Sequence, residues 1–291
     1  MNILKPIQLL ITAVILLIFS SSLFSQKLAP KERILAPNHT ITSNITRTDY
    51  QLYISFPRNY STKDSISYPV LYVLDGEIAF PLFSRTKKLF QVELIIVGIG
   101  TSNRYLDGYN NFTTSSSTSD DEKKMKKRNI KSKGIFKSGG ADKFLESIKT
   151  EIIPFVEKNY KTNADRGIYG HALGGLFAAY CLVHSDGYFT RFGVSSPTFW
   201  WDNEKLLNQA VTQFTENKTW DLPQTKVYIS VGGNEGPEML PTMAKYCSNL
   251  ENQGYDKINL KWQIFDEESH VSVWPANVSK TIYTLYGKNP N

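Results

Sequence analysis

The sequence predicts an α/β protein built on a mostly parallel, doubly wound sheet. Apolar, β-branched runs bounded by turn residues recur along the chain. Several are near-continuously hydrophobic, as strands covered on both faces must be. Helical patterns separate most of them, so strand and helix alternate. With 291 residues, 41% apolar and 21% charged, the chain can bury one large core, and one domain is expected.

The elements follow in order. The opening stretch "MNILKPIQLLITAVILLIFSSSLFSQ" has Lys5, an apolar run from Leu9 to Phe19, then small and polar residues. This is the layout of a signal peptide, so residues 1–25 are set aside and the domain is placed at 26–291, secreted or periplasmic. An uncleaved anchor is the other reading, although the apolar run is short for a span. Strands are expected at "YQLYISFP", "YPVLYVLDG" and "VELIIVGIG", with a helix from Glu77 to Phe90 between the last two. The segment 109–140 is rich in Ser, Thr, Lys and Asp, lacks a period, ends in Gly139 and Gly140, and reads as a long flexible loop. In the next helix, Ala141 to Tyr160, Phe144, Ile148, Ile152 and Phe155 recur at helical spacing, and Pro154 predicts a kink. Then come "RGIYG", a helix from Ala172 to Ser185, "RFGVSS", a helix from Asn203 to Thr215, and "TKVYISVGG". A helix from Pro237 to Gln253, the strand "INLKWQIFD" and a helix from Val271 to Tyr286 close the chain.

Composition excludes several classes. The net charge of +6 is carried largely by the run "DDEKKMKKRNIKSKGIFK". No aromatic residue interleaves its lysines before Phe136, so it reads as a solvated loop and no nucleic-acid partner is expected. Cys181 and Cys247 are too few for a disulfide scaffold and read as buried thiols, with a single bridge left open. Nothing calls for a metal or an organic cofactor, and the oligomeric state is open.

The chemistry lies in "IYGHALGGLFAAY". It has the layout of a G-x-S-x-G nucleophile elbow, a sharp turn from strand into helix, with Gly170 and Gly174 beside the apex. Ala172 stands where the serine would be. Small residues between strand and helix also serve plain packing, so the rest of the chain must decide. In such a fold an acid and then a histidine follow, each just beyond a later strand. Glu235 follows "TKVYISVGG" and His270 follows "INLKWQIFDEES". His39 is too early, His171 lies within the elbow and His184 at the far end of the next helix, which leaves His270 as candidate base. Glu235 would orient its imidazole, with Glu238 and Asp266 as rivals. An oxyanion hole needs two amides, for which Leu173 and Glu77 are the candidates. The alternative is that Asp75-Gly76 is a plain turn.

These segments, with "VGIGTSNRYLDGYN", "FGVSSPTFWWDN", "ISVGGNEG" and "SHVSVWPA", carry a resemblance from about Arg47 to Gly287. The chain resembles the esterase family of α/β-hydrolases that includes enterochelin and other siderophore esterases, feruloyl-type esterases, S-formylglutathione hydrolases and mycolyltransferases. The siderophore-esterase branch is the most similar. The resemblance implies the α/β-hydrolase fold, a small-molecule ester substrate, Ala172 at the nucleophile position, Glu235 as acid and His270 as base. It also implies a substrate-binding set of Gly76, Arg104, Asp107, His171, Trp200 and Trp201. Gly108 and Asn110 depart from the family's aromatic-Thr-Pro run, so the rim is altered. Arg104 is read as clamping an anionic group or as pairing with Asp107, and the two tryptophans as pocket walls or as core.

Without its serine the site should be close to inert. Either a working esterase has lost its nucleophile, by engineering or recent change, or the chain is a natural pseudo-esterase that binds a siderophore or carbohydrate ester in the envelope. A third route would recruit Ser195 or Ser196.

Overall fold

The computed structural model describes residues 36–63, 65–127, 137–216 and 220–287. The expected signal peptide at 1–25 lies outside the described residues, as do residues 128–136 of the expected loop. From Pro37 onward the chain forms one compact unit.

Its frame is a single sheet. The described strands are β1 (His39–Thr42), β2 (Asp49–Ser55), β3 (Tyr68–Leu74), β4 (Ile95–Thr101), β5 (Thr162–His171), β6 (Arg191–Ser195), β7 (Thr225–Gly232) and β8 (Ile258–Phe265). They lie in the order β1-β2-β4-β3-β5-β6-β7-β8. β2 runs antiparallel to β1 and β4, and every pairing from β4 to β8 is parallel. This is the α/β-hydrolase arrangement. Seven strands fall on the expected apolar runs. β1 has no such run: "HTIT" alternates half-buried and exposed residues at the sheet edge.

The helices are α1 (Gly76–Leu89), α2 (Arg104–Phe112), α3 (Ser119–Lys127), α4 (Ala141–Ser147), α5 (Ile153–Asn159), α6 (Leu173–His184), α7 (Trp201–Glu216), α8 (Met239–Asn252) and α9 (Trp274–Tyr286). They cover both faces of the sheet, and the strand pleat divides the core accordingly. In β3, Tyr68, Val70, Tyr72 and Leu74 join the cluster that includes Leu176 and Phe177 of α6. Leu71 and Val73 point the other way, to Phe80 and Phe83 of α1 and Val278 and Ile282 of α9. Both faces of the strand are therefore apolar, which is why its sequence shows no alternation. Each large side chain so buried contributes about 1.5–3 kcal/mol.

The helix expected over Ala141 to Tyr160 is interrupted in pattern but not in course: a π-helical turn, Ile148–Ile152, joins α4 to α5, and Pro154 falls in the first turn of α5 directly after it. The segment expected as loop also holds structure, namely the end of α2 and the whole of α3. It is pinned by Asp121, which is 1% exposed and accepts hydrogen bonds from the Thr118 amide (2.7 Å) and the Asp202 amide (3.1 Å). The indole of Trp201 adds a bond to the Ser115 carbonyl, 3.2 Å. Asp202, Asn203 and Glu204 have left-handed dihedrals, so the regular part of α7 starts beyond Glu204. Cys181 and Cys247 are both free and buried. Among the described residues no helix is long and apolar enough to cross a membrane.

Candidate active site

The parallel strands all end at one edge of the sheet, and the connections there carry the chemistry. At the end of β5 the chain turns into α6 through Ala172, whose φ of 55° and ψ of −116° no alanine adopts without strain. Two glycines make the turn. A Cβ on Gly170 would lie 2.0 Å from the Gly174 carbonyl oxygen, and one on Gly175 would lie 2.5 Å from that of Ser195. Gly174 itself has room, its nearest neighbour being 3.6 Å away, so the steric requirement falls on Gly170 and Gly175 rather than on Gly174. The Ala172 amide donates to the Ser195 carbonyl, 3.0 Å, and its own carbonyl accepts from Leu176, 3.0 Å. The backbone is thus held on both sides of a methyl group that faces a cavity.

The same cavity is lined by His270, from the turn after β8. Its Nδ1 lies 2.6 Å from Oε2 of Glu235, from the turn after β7. Glu235 meets this ring; Glu238 instead stands at the N-terminal boundary of α8, its side chain making no capping bond. The Glu235 side chain is 1% exposed. Its Oε1 accepts from the Ser196 hydroxyl, 2.5 Å, and the Gly232 amide, 2.7 Å. Burial works to raise the pKa of this carboxyl, but the bonds from His270, Ser196 and Gly232 outweigh it. The group is held below the usual glutamate range. With Nδ1 engaged by a carboxylate, Nε2 is the ring atom left to exchange protons. Of the remaining histidines, His171 lies beside this ring, 4.6 Å between centroids, whereas His39 bonds Tyr160, 2.6 Å, and His184 stacks on Tyr180 at 4.2 Å.

The cavity measures about 380 Å³. Ala172, Leu173, His171, His270 and Arg104 line it, and Ile78, Tyr105, Phe112, Met125, Val271 and Trp274 make its walls mainly apolar. Of these apolar residues, none stood out individually in the sequence, because they come from four separate stretches of chain: α1, α2, α3 and the turn from β8 into α9. As the first residue of α6, Leu173 has no intrahelical partner for its N–H, and that donor stands beside residue 172. Glu77 is absent from the residues lining the cavity, and a Cβ on Gly100 of β4 would lie 3.1 Å from its backbone nitrogen. Gly76 and Asp107 are likewise absent from the lining. Trp200 and Trp201 are 3% and 1% exposed and belong to the core, where Trp200 donates to the Met239 sulfur, 3.3 Å. Arg104 pairs not with Asp107 but with Glu77, Nε to Oε1 3.8 Å, and its guanidinium lies 4.5 Å from the centre of the Tyr105 ring.

Two acids flank Arg104. Burial pushes Asp75, on the cavity wall, up to about 6 against the pull of Arg104, and Glu77 up to about 7. Among the described residues no group of three or more His, Cys, Asp or Glu is arranged to hold a metal. A strained apex, a free helix amide, and an imidazole backed by a carboxylate form the set that acyl transfer uses.

The sequence model of the family described as "Putative esterase" matches residues 43–271. The chain belongs to this family. It is 25% identical over 264 residues to the ferri-bacillibactin esterase BesA of Bacillus subtilis (strain 168), covering 85% of this chain and 88% of the relative. To the apo-salmochelin esterase of Escherichia coli O6:H1 (strain CFT073) it is 23% identical over 254 residues, with 83% and 76% covered. The crystal structure of the BES protein from Bacillus cereus superposes with a TM-score of 0.72 at 28% identity, covering 88% of this chain and 98% of that one. The chain is therefore an esterase scaffold of the siderophore-esterase-like branch.

Proposed function

We propose that this chain is a carboxylic-ester hydrolase for siderophore-type esters whose nucleophile position holds alanine, and that it is inactive for that reason alone. The observation that carries the reading is the Glu235–His270 pair, 2.6 Å apart, opening on the same cavity as the strained residue 172. A backbone held at this cost has a use only if it presents a side-chain oxygen. With serine restored, the hydroxyl attacks the ester carbonyl and its proton passes to Nε2 of His270, while Glu235 stabilises the imidazolium. The Leu173 amide receives the oxyanion, and Arg104 is the cation on the same wall. His270 then protonates the departing alcohol, and water hydrolyses the acyl-enzyme by the same route. The relatives' names supply the substrate class, and the signal-like N-terminal segment supports action outside the cytoplasm.

Ser195 and Ser196 are poor substitutes. Both are fully buried, and their hydroxyls engage His171 and Glu235 respectively. Loss of the serine in a comparable triad costs about 10⁶-fold in turnover. Hydrolysis of p-nitrophenyl acetate tests the proposal. The unmodified chain should show none above background, and Ala172→Ser should gain turnover that Ala172→Ser with His270→Ala lacks. Silence from Ala172→Ser overturns it. That result favours the second reading, a pseudo-esterase that keeps the preformed apolar cavity to bind an ester-bearing ligand, which calorimetric titration with a ferric catecholate would then detect.

A further inference from the structure

The candidate site is assembled from two halves. One holds the acid and the base. The turns after β7 and β8, which carry Glu235 and His270, are joined backbone to backbone: the Gly233 amide donates to the Phe265 carbonyl, 2.8 Å, and the Asn234 amide to the Glu268 carbonyl, 2.9 Å. The other half is the elbow after β5, with residue 172 at its apex. β6 lies between β5 and β7 in the sheet, and the turn that follows it, residues 195–198, touches both halves. On the elbow side the Ser195 carbonyl accepts from the Ala172 amide, 3.0 Å, and the Thr198 amide donates to the Ala172 carbonyl, 3.3 Å. On the other side the Ser196 amide donates to the Ser230 carbonyl of β7, 2.7 Å, and the Ser196 hydroxyl donates to Oε1 of Glu235, 2.5 Å.

Ser196 is strained in this place. Its φ of 43° lies in the left-handed region, and Pro197 favours an extended backbone with negative φ in the residue before it. Glycine would adopt this conformation more easily. A fully buried serine kept there has a use in its hydroxyl, and that hydroxyl ends on the carboxylate. The Gly232 amide reaches the same oxygen, 2.7 Å. Oε1 is thus gripped from two elements, and Oε2 is left to face Nδ1 of His270, 2.6 Å. A carboxylate held this way cannot turn about its Cγ–Cδ bond without breaking both bonds to Oε1.

We propose that Ser196 is a positioning residue: through Glu235 it fixes the ring of His270, and through the turn it shares with Ser195 and Thr198 it sets where that ring stands relative to residue 172. The purpose of this brace rests on the esterase reading above. The brace itself does not.

Long-range proton–nitrogen correlation spectra of the unmodified chain test it without any turnover. Neutral His270 should be in its Nδ1–H form, with the proton donated to Glu235. Ser196→Gly removes the hydroxyl and relieves the backbone, so the chain should stay folded while the tautomer ratio moves roughly tenfold toward the Nε2–H form, the effect of one hydrogen bond to a charged group. Ser196→Ala, which keeps the strain, should move it the same way. In the Ala172→Ser background, Ser196→Gly should lower kcat for p-nitrophenyl acetate roughly tenfold and leave KM in place, because Ser196 is not among the residues lining the cavity. An Nε2–H ring in the unmodified chain, or a tautomer ratio indifferent to both substitutions, overturns the proposal. Silence from Ala172→Ser counts against the esterase reading, and the spectra still decide whether the brace exists.

Discussion

Ala172 sits at φ 55°, where a Cβ is a liability, and its methyl has no partner that would repay the strain. Ala172→Gly should therefore stabilise the fold by about 1 kcal/mol, read as a higher urea midpoint at unchanged slope. A lower midpoint would mean that the strain is not there. His171 gives a second test at this scale. Its native value lies near 3 and its unfolded value near 6.5, so between them the unfolded chain binds the extra proton. Stability is thus lost as pH falls from about 6.5 toward 3, and His171→Phe should flatten that part of the Tm profile. Glu235 and His270 were legible in the sequence because chain order and a position just beyond a strand are enough to single them out. The demand on Gly175 was not legible, since it comes from the Ser195 carbonyl of the next strand, 20 residues further on.

The elbow works as an element because strand and helix touch backbone to backbone. Gly170→Ala would force a Cβ to 2.0 Å from the Gly174 carbonyl, and the strand and helix would have to part. The expected loss is about 3 kcal/mol or more, at the severe end for a single core substitution, measured by denaturation. Helix α3 shows the opposite situation. Its sequence "SDDEKKMKK" offers only Met125 to a core, so no hydrophobic period announces it. Its position is set by Asp121, through bonds to Thr118 and to the Asp202 amide that no local pattern reveals. Asp121→Ala should leave those amides unpaired at a cost of about 1–3 kcal/mol and expose 113–127 to rapid hydrogen exchange, with α6 unaffected. Equal protection in both chains would show that the segment is held by something else.

At the scale of the molecule, seven of the described strands and the alternation with helices were readable because a sheet covered on both faces writes long apolar runs. The edge strand β1 was not, being short and half exposed. The cavity walls were not either, since they converge from many separate connections. Electrostatics also acts across elements. Burial of Glu77 between α1 and β4 holds its carboxyl near 7, so the native state binds a proton there that the unfolded chain releases near 4.5. Stability from this group falls as pH rises through that window, opposite in sign to His171. Glu77→Gln should raise Tm at pH 8, by an effect of up to about 3 kcal/mol, and leave it unchanged at pH 4.

The most direct test of the account is covalent labelling with a fluorophosphonate, followed by peptide mass spectrometry. The unmodified chain should take up no label. Ala172→Ser should carry one adduct, at position 172, and lose it when His270→Ala is added. Label on Ser195 or Ser196 of the unmodified chain, or none at position 172 of the folded variant, would contradict the claim that this alanine stands in a complete hydrolase site.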